Sequence, residues 1–159
     1  MNAVSGLDTR LTDDHHESLR LWLRLLTCTH LIETHVRKAL ATQFKTTLPR
    51  FDLMAQLERA PQGLKMGELS RRMLVTGGNI TGIVDQLERA GLIVRAEDPA
   101  DRRAYLVKLT KEGRRLFAQM AAQHESWIVS LFSGIPKREQ RALNESLLRL
   151  RAQLTQESS

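Results

Sequence analysis

Residues 66–109 contain two short helical patterns followed by a hairpin pattern, and they read MGELSRRMLVTGGNITGIVDQLERAGLIVRAEDPADRRAYLVKL. The first helix is predicted over about residues 66–73, with its apolar side facing inward: Leu69, Met73 and Leu74. The second is predicted from Gly77 to Ala90, with Thr76 as its N-cap and a left-handed Gly91 at its end. Its core stripe has the i, i+3, i+4, i+7 spacing of a helix: Ile80, Ile83, Val84 and Leu87.

A two-stranded hairpin is predicted after these helices. Residues 92–94 form its first strand, residues 97–101 its turn and residues 105–109 the alternating return strand. Two helices followed by a β-ribbon predict a winged helix-turn-helix, in which the second helix enters a DNA major groove about 12 Å wide. The sequence therefore favours a mainly α fold with a small β-wing and double-stranded DNA as partner.

The second helix has a polar face opposite its core stripe, made of small and hydrogen-bonding residues: Gly77, Gly78, Asn79, Thr81, Gly82 and Gln86. Asn79 and Gln86 are suited to bidentate contacts with adenine, and the Thr81 methyl is suited to a thymine methyl. Thr76 and the free N–H groups at the helix start are predicted to hold a phosphate. A glycine-rich loop without DNA contacts is the structural alternative.

Arginines flank this face on both sides. On the first helix, Ser70, Arg71 and Arg72 are predicted phosphate contacts. In the hairpin turn, Arg102 or Arg103 is predicted to enter the minor groove, with Asp101 orienting an arginine by a charge-assisted bond. Solvated arginine pairs are the alternative interpretation.

The distribution of charge supports a discrete basic module. The 159 residues carry 24 Lys+Arg and 18 Asp+Glu, for a net charge of +6. Residues 65–115 hold 11 of these basic and 7 of these acidic groups, so two-thirds of the excess lies in the central third. A general basic surface would spread the charge more evenly, so a nucleic-acid-binding module is favoured.

Helical patterns surround the module. An uninterrupted apolar stripe predicts one long helix over residues 17–44, and Pro136 opens a last helix with four inward leucines: Leu143, Leu147, Leu150 and Leu154. Between them, a helix starts at Leu48-Pro49, and Thr110 caps another that continues to Gly134. We predict an arm at 1–16, a dimerisation region at 17–46 and 116–155, and a winged helix-turn-helix domain at 47–115.

Several classes of protein are disfavoured by composition. One cysteine cannot form an internal disulfide, and no apolar run approaches the ~20 residues of a membrane span, so a cytoplasmic protein without a membrane partner is expected. No phosphate-binding loop, paired-histidine metal motif or nucleophile elbow appears, so neither an enzyme nor a cofactor is expected.

Three stretches resemble the MarR family of bacterial regulators: MGELSRRM at 66–73, NITGIVDQLERAGL at 79–92 and DPADRRAYLVKLTKEG at 98–113. The resemblance extends over about residues 17–155 and implies a homodimer whose first and last helices interlock. The family's Asp-x-Arg wing motif falls on Asp101 and Arg103. Many members have arginine where this chain has Gly82 and Gln86, so the resemblance does not imply an operator sequence.

Dimerisation also has a basis in the residues themselves. Residues 116–136 contain one charged residue, Glu125, and leucine-rich helices lie near both chain ends, which favours burial shared between protomers over an ordinary core. Twofold symmetry would require a pseudo-palindromic operator with half-sites about one helical turn apart.

The resemblance further implies a small effector bound where the DNA-binding lobe meets the dimer helices. Candidate contacts are Arg20, Trp22, Arg24, His30, Phe51 and Met54. Residues 19–26 (LRLWLRLL) and 48–54 (LPRFDLM) are similar to regulators of aromatic-acid catabolism, which implies a repressor released by an aromatic acid or its coenzyme A thioester. Phe51 and Met54 as plain core, and the arginines as solvated charge, are the alternatives.

Cys28 offers a different regulatory hypothesis, a redox-sensing repressor. Its place on or beside the apolar stripe of the long helix instead favours a buried, inert thiol. Zinc held by Cys28, His30, Glu33 and His35 is not expected, because His30 and His35 point to different sides of a helix.

Overall fold

The computed structural model describes residues 16–74 and 79–158. Its elements in chain order are α1 (Glu17–Phe44), α2 (Leu48–Glu58), α3 (Met66–Arg72), α4 (Ile80–Arg89), β1 (Ile93–Asp98), β2 (Asp101–Leu109), α5 (Lys111–Leu131) and α6 (Lys137–Glu157). The mainly helical fold with a two-stranded wing is confirmed. The predicted contacts Thr76, Gly77 and Gly78, and the predicted arm except His16, lie outside the described residues.

Helix α1 has the predicted bounds, since neither proline nor glycine interrupts it. It ends where Lys45 adopts a left-handed backbone (φ 52°) and donates its N–H to the Leu40 carbonyl. Only Val36 and Leu40, near its end, are buried. The stripe predicted along its first half is open in the protomer, where Leu21 is 54% exposed and Cys28 is also exposed. The expectation of a buried Cys28 was therefore wrong.

Helix α2 is the central helix of the unit formed by residues up to Ala122. Thr47 is its N-cap and accepts the Arg50 N–H at 3.4 Å, while Pro49 fits the first turn because the missing N–H has no partner there. Most of its side chains are buried, and it packs against α1, α3, α4 and β2. The largest fully buried side chains of the unit are Leu40, Leu53, Met54, Leu57, Leu69, Val84, Ile93, Val107 and Met120.

The two helices of the helix-turn-helix differ from prediction at their facing ends. Helix α3 ends at Arg72 because Met73 adopts an extended backbone (ψ 128°). Leu74 is consequently 79% exposed, and its predicted inward position was wrong. Helix α4 begins at Ile80 with Asn79 as its N-cap, whereas the predicted cap Thr76 and the predicted start Gly77 lie outside the described residues. Of its predicted core stripe, Val84 and Leu87 are buried, and Ile80 and Ile83 are half-buried.

The wing is longer than predicted. Strands β1 and β2 pair antiparallel from Ile93↔Leu109 to Glu97↔Tyr105, and an irregularity follows before Asp98↔Asp101. The turn is thereby reduced to Pro99 and Ala100. Arg102 and Arg103, predicted in the turn, belong to the start of β2.

The end of the chain, from Gln123, forms a second unit. Helix α6 begins after Pro136, as predicted, but none of its side chains is buried in the protomer. Its four leucines, predicted to face inward, are exposed. In the described residues, no helix combines the length and apolarity that crossing a membrane requires.

Candidate nucleic-acid interface

The polar side of α4 forms what we call the α4 face, made of Asn79, Gly82 and Gln86. Their spacing of three and four residues places them on one side of the helix, opposite Val84 and Leu87. Asn79 and Gln86 are exposed. A Cβ on Gly82 would lie 3.6 Å from Asn79 Nδ2, which is an ordinary van der Waals contact. Alanine would therefore fit at this position, but glycine leaves the middle of the face without a side chain. Thr81 is exposed beside this face.

Gln86 is held by a residue from another helix. Arg50 of α2 donates from Nε to Gln86 Oε1 at 3.0 Å, and its Nη2 donates to the same oxygen. A bidentate contact with adenine needs this oxygen to accept from the base. The adenine contact predicted for Gln86 therefore does not fit this arrangement.

A cluster of side chains around Arg95 joins the wing to α4, and sequence reasoning missed it. Arg95 of β1 contacts Asp85 Oδ1 at 2.5 Å and Glu88 Oε1 at 2.6 Å, and its guanidinium lies 5.4 Å from the Tyr105 ring centroid. Its backbone N–H also donates to Glu88 at 3.2 Å. The bond to Asp85, followed by those to Tyr105 and Glu88, raises the pKa of Arg95 further above its usual range. We call these four residues the Arg95 cluster.

The wing arginines are exposed, as a DNA contact requires. Asp101 does not orient a guanidinium as predicted: its Oδ1 accepts the backbone N–H of Arg103 at 3.0 Å. That bond fixes the backbone at the start of β2. It does not fix the direction of the Arg103 side chain.

A second aspartate stabilises the turn of the wing. The buried Asp98 accepts the Ala100 N–H at 3.0 Å, and Lys65 Nζ lies 3.3 Å from its other oxygen. The Ala100 bond and the Lys65 charge hold the pKa of Asp98 below its usual range. The turn therefore depends on an ionised carboxylate.

The residues predicted on α3 are at the surface. Ser70, Arg71 and Arg72 are exposed, and Arg72 pairs with Glu68 at 2.6 Å. Behind them, the buried Asp52 accepts the Leu74 N–H at 2.7 Å and the Gln56 amide at 3.0 Å. Asp52 thus fixes the chain as it leaves α3, and sequence reasoning missed this role because the two residues are 22 positions apart.

The structure does not bring the six predicted effector contacts together on one surface. Phe51 and Met54 are buried in the core, and the ring of Phe51 lies 5.5 Å from that of Phe117. Trp22 is 56% exposed, Arg24 and His30 are exposed, and Arg20 pairs with Glu17 at 2.7 Å. Across residues 16–74 and 79–158, no group of three or more His, Cys, Asp or Glu could hold a metal ion.

Comparisons with known proteins agree with this architecture. A family model described as the MarR family matches residues 44–104, from the end of α1 into the wing. A crystal structure of a MarR family transcriptional regulator from Silicibacter pomeroyi superposes with a TM-score of 0.76 at 29% identity, covering 90% of this chain and 99% of that one. The chain is thus similar to MarR family regulators in sequence over residues 44–104 and in fold over 90% of its length.

Curated relatives are similar to this chain over part of their length. An uncharacterized HTH-type transcriptional regulator of Bacillus subtilis (strain 168), YkoM, is 37% identical over 52% of each chain. The transcriptional activatory protein BadR of Rhodopseudomonas palustris is 31% identical over 64% of this chain and 59% of its own. The chain thus matches little more than half of either relative. Because MarR-type regulators are not enzymes, the prediction that the chain is not an enzyme is confirmed.

Proposed function

We propose that this chain is a homodimeric, sequence-specific DNA-binding regulator that represses transcription in the cytoplasm from a pseudo-palindromic operator. The observation that carries the proposal is the exposed, polar α4 face, whose helix is joined to an arginine-bearing wing by the Arg95 cluster. A helix with one apolar and one polar side, braced against a β-ribbon, has the form that enters a major groove.

Each part of the surface has a distinct role in the proposed complex. Asn79 and Thr81 contact base edges, while Ser70, Arg71 and Arg72 contact phosphates and position the module without reading sequence. Arg102 and Arg103 reach into the adjacent minor groove, where narrow A·T-rich stretches attract cations. Thr76, Gly77 and Gly78, outside the described residues, remain predicted contacts.

Exposed apolar side chains support the homodimer. Leu19, Leu21 and Leu31 are exposed on α1, and α6 exposes an apolar series of its own: Leu143, Leu147, Leu148, Leu150 and Leu154. Apolar surface of this extent on a soluble chain is typical of a protein interface. Interlocking of these helices between two copies would bury them, as the family resemblance implies.

Arg103→Ala is expected to weaken operator binding strongly because it removes a cation from the wing. Asn79→Ala is expected to relax sequence preference, with about 1–3 kcal/mol less discrimination between bases. Gel shifts with the intergenic DNA upstream of the gene, and with scrambled DNA, measure both effects. Arg138→Ala, which removes an exposed charge from α6, is the control. Unchanged binding by both interface variants would contradict the proposed docking.

For the effector, we propose a small aromatic acid or its coenzyme A thioester. The exposed Trp22 supplies an aromatic surface. Arg20 and Arg24 on the same helix supply cations for a carboxylate or phosphate, and the His30 ring supplies a hydrogen-bonding group. Phe51 and Met54 would contact the effector only if the core opens. Thermal shifts against a panel of such acids and thioesters test this, with Trp22→Ala as the variant expected to lose stabilisation; no stabilisation by any compound would refute it.

The sign of regulation requires its own measurement, because the Rhodopseudomonas palustris relative is named as an activatory protein. A reporter fused to the operator should rise when the repressor is deleted. The alternative regulator, a redox-sensing repressor using Cys28, is favoured by the exposure of that thiol. Operator affinity that peroxide leaves unchanged would remove that alternative.

A further inference from the structure

The contact between Arg50 and Gln86 joins two helices across 36 residues of sequence. Both bonds from the guanidinium end on the same amide oxygen, Gln86 Oε1. Arginine has donors and no acceptor, so this contact fixes which way the glutamine amide points. The oxygen faces Arg50, and the Nε2 group, with two N–H donors, is left for other contacts.

A glutamine amide that can only donate hydrogen bonds and one that can both donate and accept match different base edges in the major groove. Adenine presents an acceptor, N7, beside a donor, N6, and a free glutamine amide matches both. Guanine presents two acceptors, N7 and O6. A glutamine whose oxygen is occupied leaves the adenine N6 donor unpaired on binding, and an unpaired buried donor is costly.

We propose that Arg50 is a positioning residue for base recognition: it makes Gln86 a donor-only contact that selects guanine over adenine at one position of each half-site. This inference rests on the proposed DNA-binding function. It assigns to α2, outside the two helices of the helix-turn-helix, a part in choosing the operator sequence.

The surroundings of Arg50 fix the backbone from which its side chain extends. Thr47 accepts the Arg50 N–H and starts α2 at a defined residue, and the next side chain, Phe51, is buried against Phe117. Gln86 lies four residues after Gly82, whose missing side chain leaves space on the α4 face. The guanidinium that orients the amide therefore extends from a fixed position on α2.

The test is selection of bound operators from a library randomised at each position of one half-site. Gln86→Ala identifies the position, because its preference is lost there and nowhere else. At that position the wild-type protein is expected to favour guanine over adenine by about tenfold, which is the scale of one good base contact. Arg50→Met, which keeps the side-chain length and removes the donors, is expected to reverse the preference toward adenine.

Three further variants separate this role from a general loss of positive charge. Arg59→Met, at the end of the same helix, is expected to leave every base preference unchanged. Arg50→Lys keeps the charge with one donor group and should give a guanine-to-adenine ratio between those of wild type and Arg50→Met. In a Gln86→Ala background, Arg50→Met should not alter preference at the identified position.

Two results would overturn the inference while the proposed function stands: sequence-specific binding with adenine preferred at the Gln86-dependent position, or a guanine preference that survives Arg50→Met. Wild-type protein that binds all library members equally would overturn both the inference and the proposed function. Circular dichroism melts confirm that each variant is folded when its preference is measured.

Discussion

Replacing Gly113 with alanine is expected to lower the free energy of unfolding by about 3 kcal/mol or more, although alanine normally stabilises a helix relative to glycine. Gly113 lies in the first turn of α5, where its N–H donates to the Thr110 hydroxyl at 3.0 Å. A Cβ at this position would lie 1.9 Å from the carbonyl oxygen of Leu92. That carbonyl also accepts the Thr110 N–H at 3.0 Å, so neither backbone can move without loss of a bond.

Urea and thermal unfolding measure this effect, with a fall in Tm of roughly 6–12 °C for a chain of this size. The control is Gly67→Ala, another glycine within a helix. Its Cβ would meet nothing nearer than Arg71 Nη1 at 3.7 Å, so equal or slightly higher stability is expected. A Gly113→Ala protein as stable as wild type would show that the close approach of α5 to Leu92 is wrong.

Arg95→Ala is expected to weaken operator binding by about 10- to 100-fold, which corresponds to roughly 1–3 kcal/mol. The substitution removes both ion pairs and the ring contact that join β1 to α4. The wing arginines then lose their fixed position relative to the α4 face. Asp85 and Glu88 also lose their counter-charge, and in the proposed complex their negative charges would repel the DNA phosphates.

Fluorescence anisotropy with labelled operator measures the loss. Arg115→Ala is the matched control, because it removes an arginine paired with the single acid Glu112 on α5, outside both strands of the wing. Adding Asp85→Asn and Glu88→Gln to Arg95→Ala separates the two causes: recovered affinity indicates charge repulsion, and no recovery indicates a displaced wing. If Arg95→Ala binds as well as Arg115→Ala, the Arg95 cluster does not organise the interface.

Local features of the fold were predictable from the sequence because their causes are local. The absence of proline and glycine lets α1 continue without a break from Glu17 to Phe44. The apolar pattern of four residues identifies the buried side of α4. Thr110 is recognisable as a cap, since its hydroxyl accepts an N–H three residues later. These arguments need only neighbours along the chain.

Features that depend on distant partners were not predictable in the same way. The apolar pattern of α3 continues to Leu74, but the bond from its N–H to Asp52 holds the chain in a different direction. Gln86 has the composition of an adenine contact, and only the packing of α2 beside α4 shows that its oxygen is occupied. The Arg95 cluster had a weak signal, two acids three residues apart before a strand arginine, which many solvated pairs share.

Footprinting on the intergenic DNA upstream of the gene, with the number of chains per operator measured in the same samples, tests the central claim most directly. We expect two protected half-sites about one helical turn apart, related by a pseudo-twofold axis and occupied by two chains. Arg103→Ala should lose this protection, and Arg138→Ala should retain it. Binding that is no stronger than to unrelated DNA of equal length, or protection without twofold symmetry, would contradict the claim.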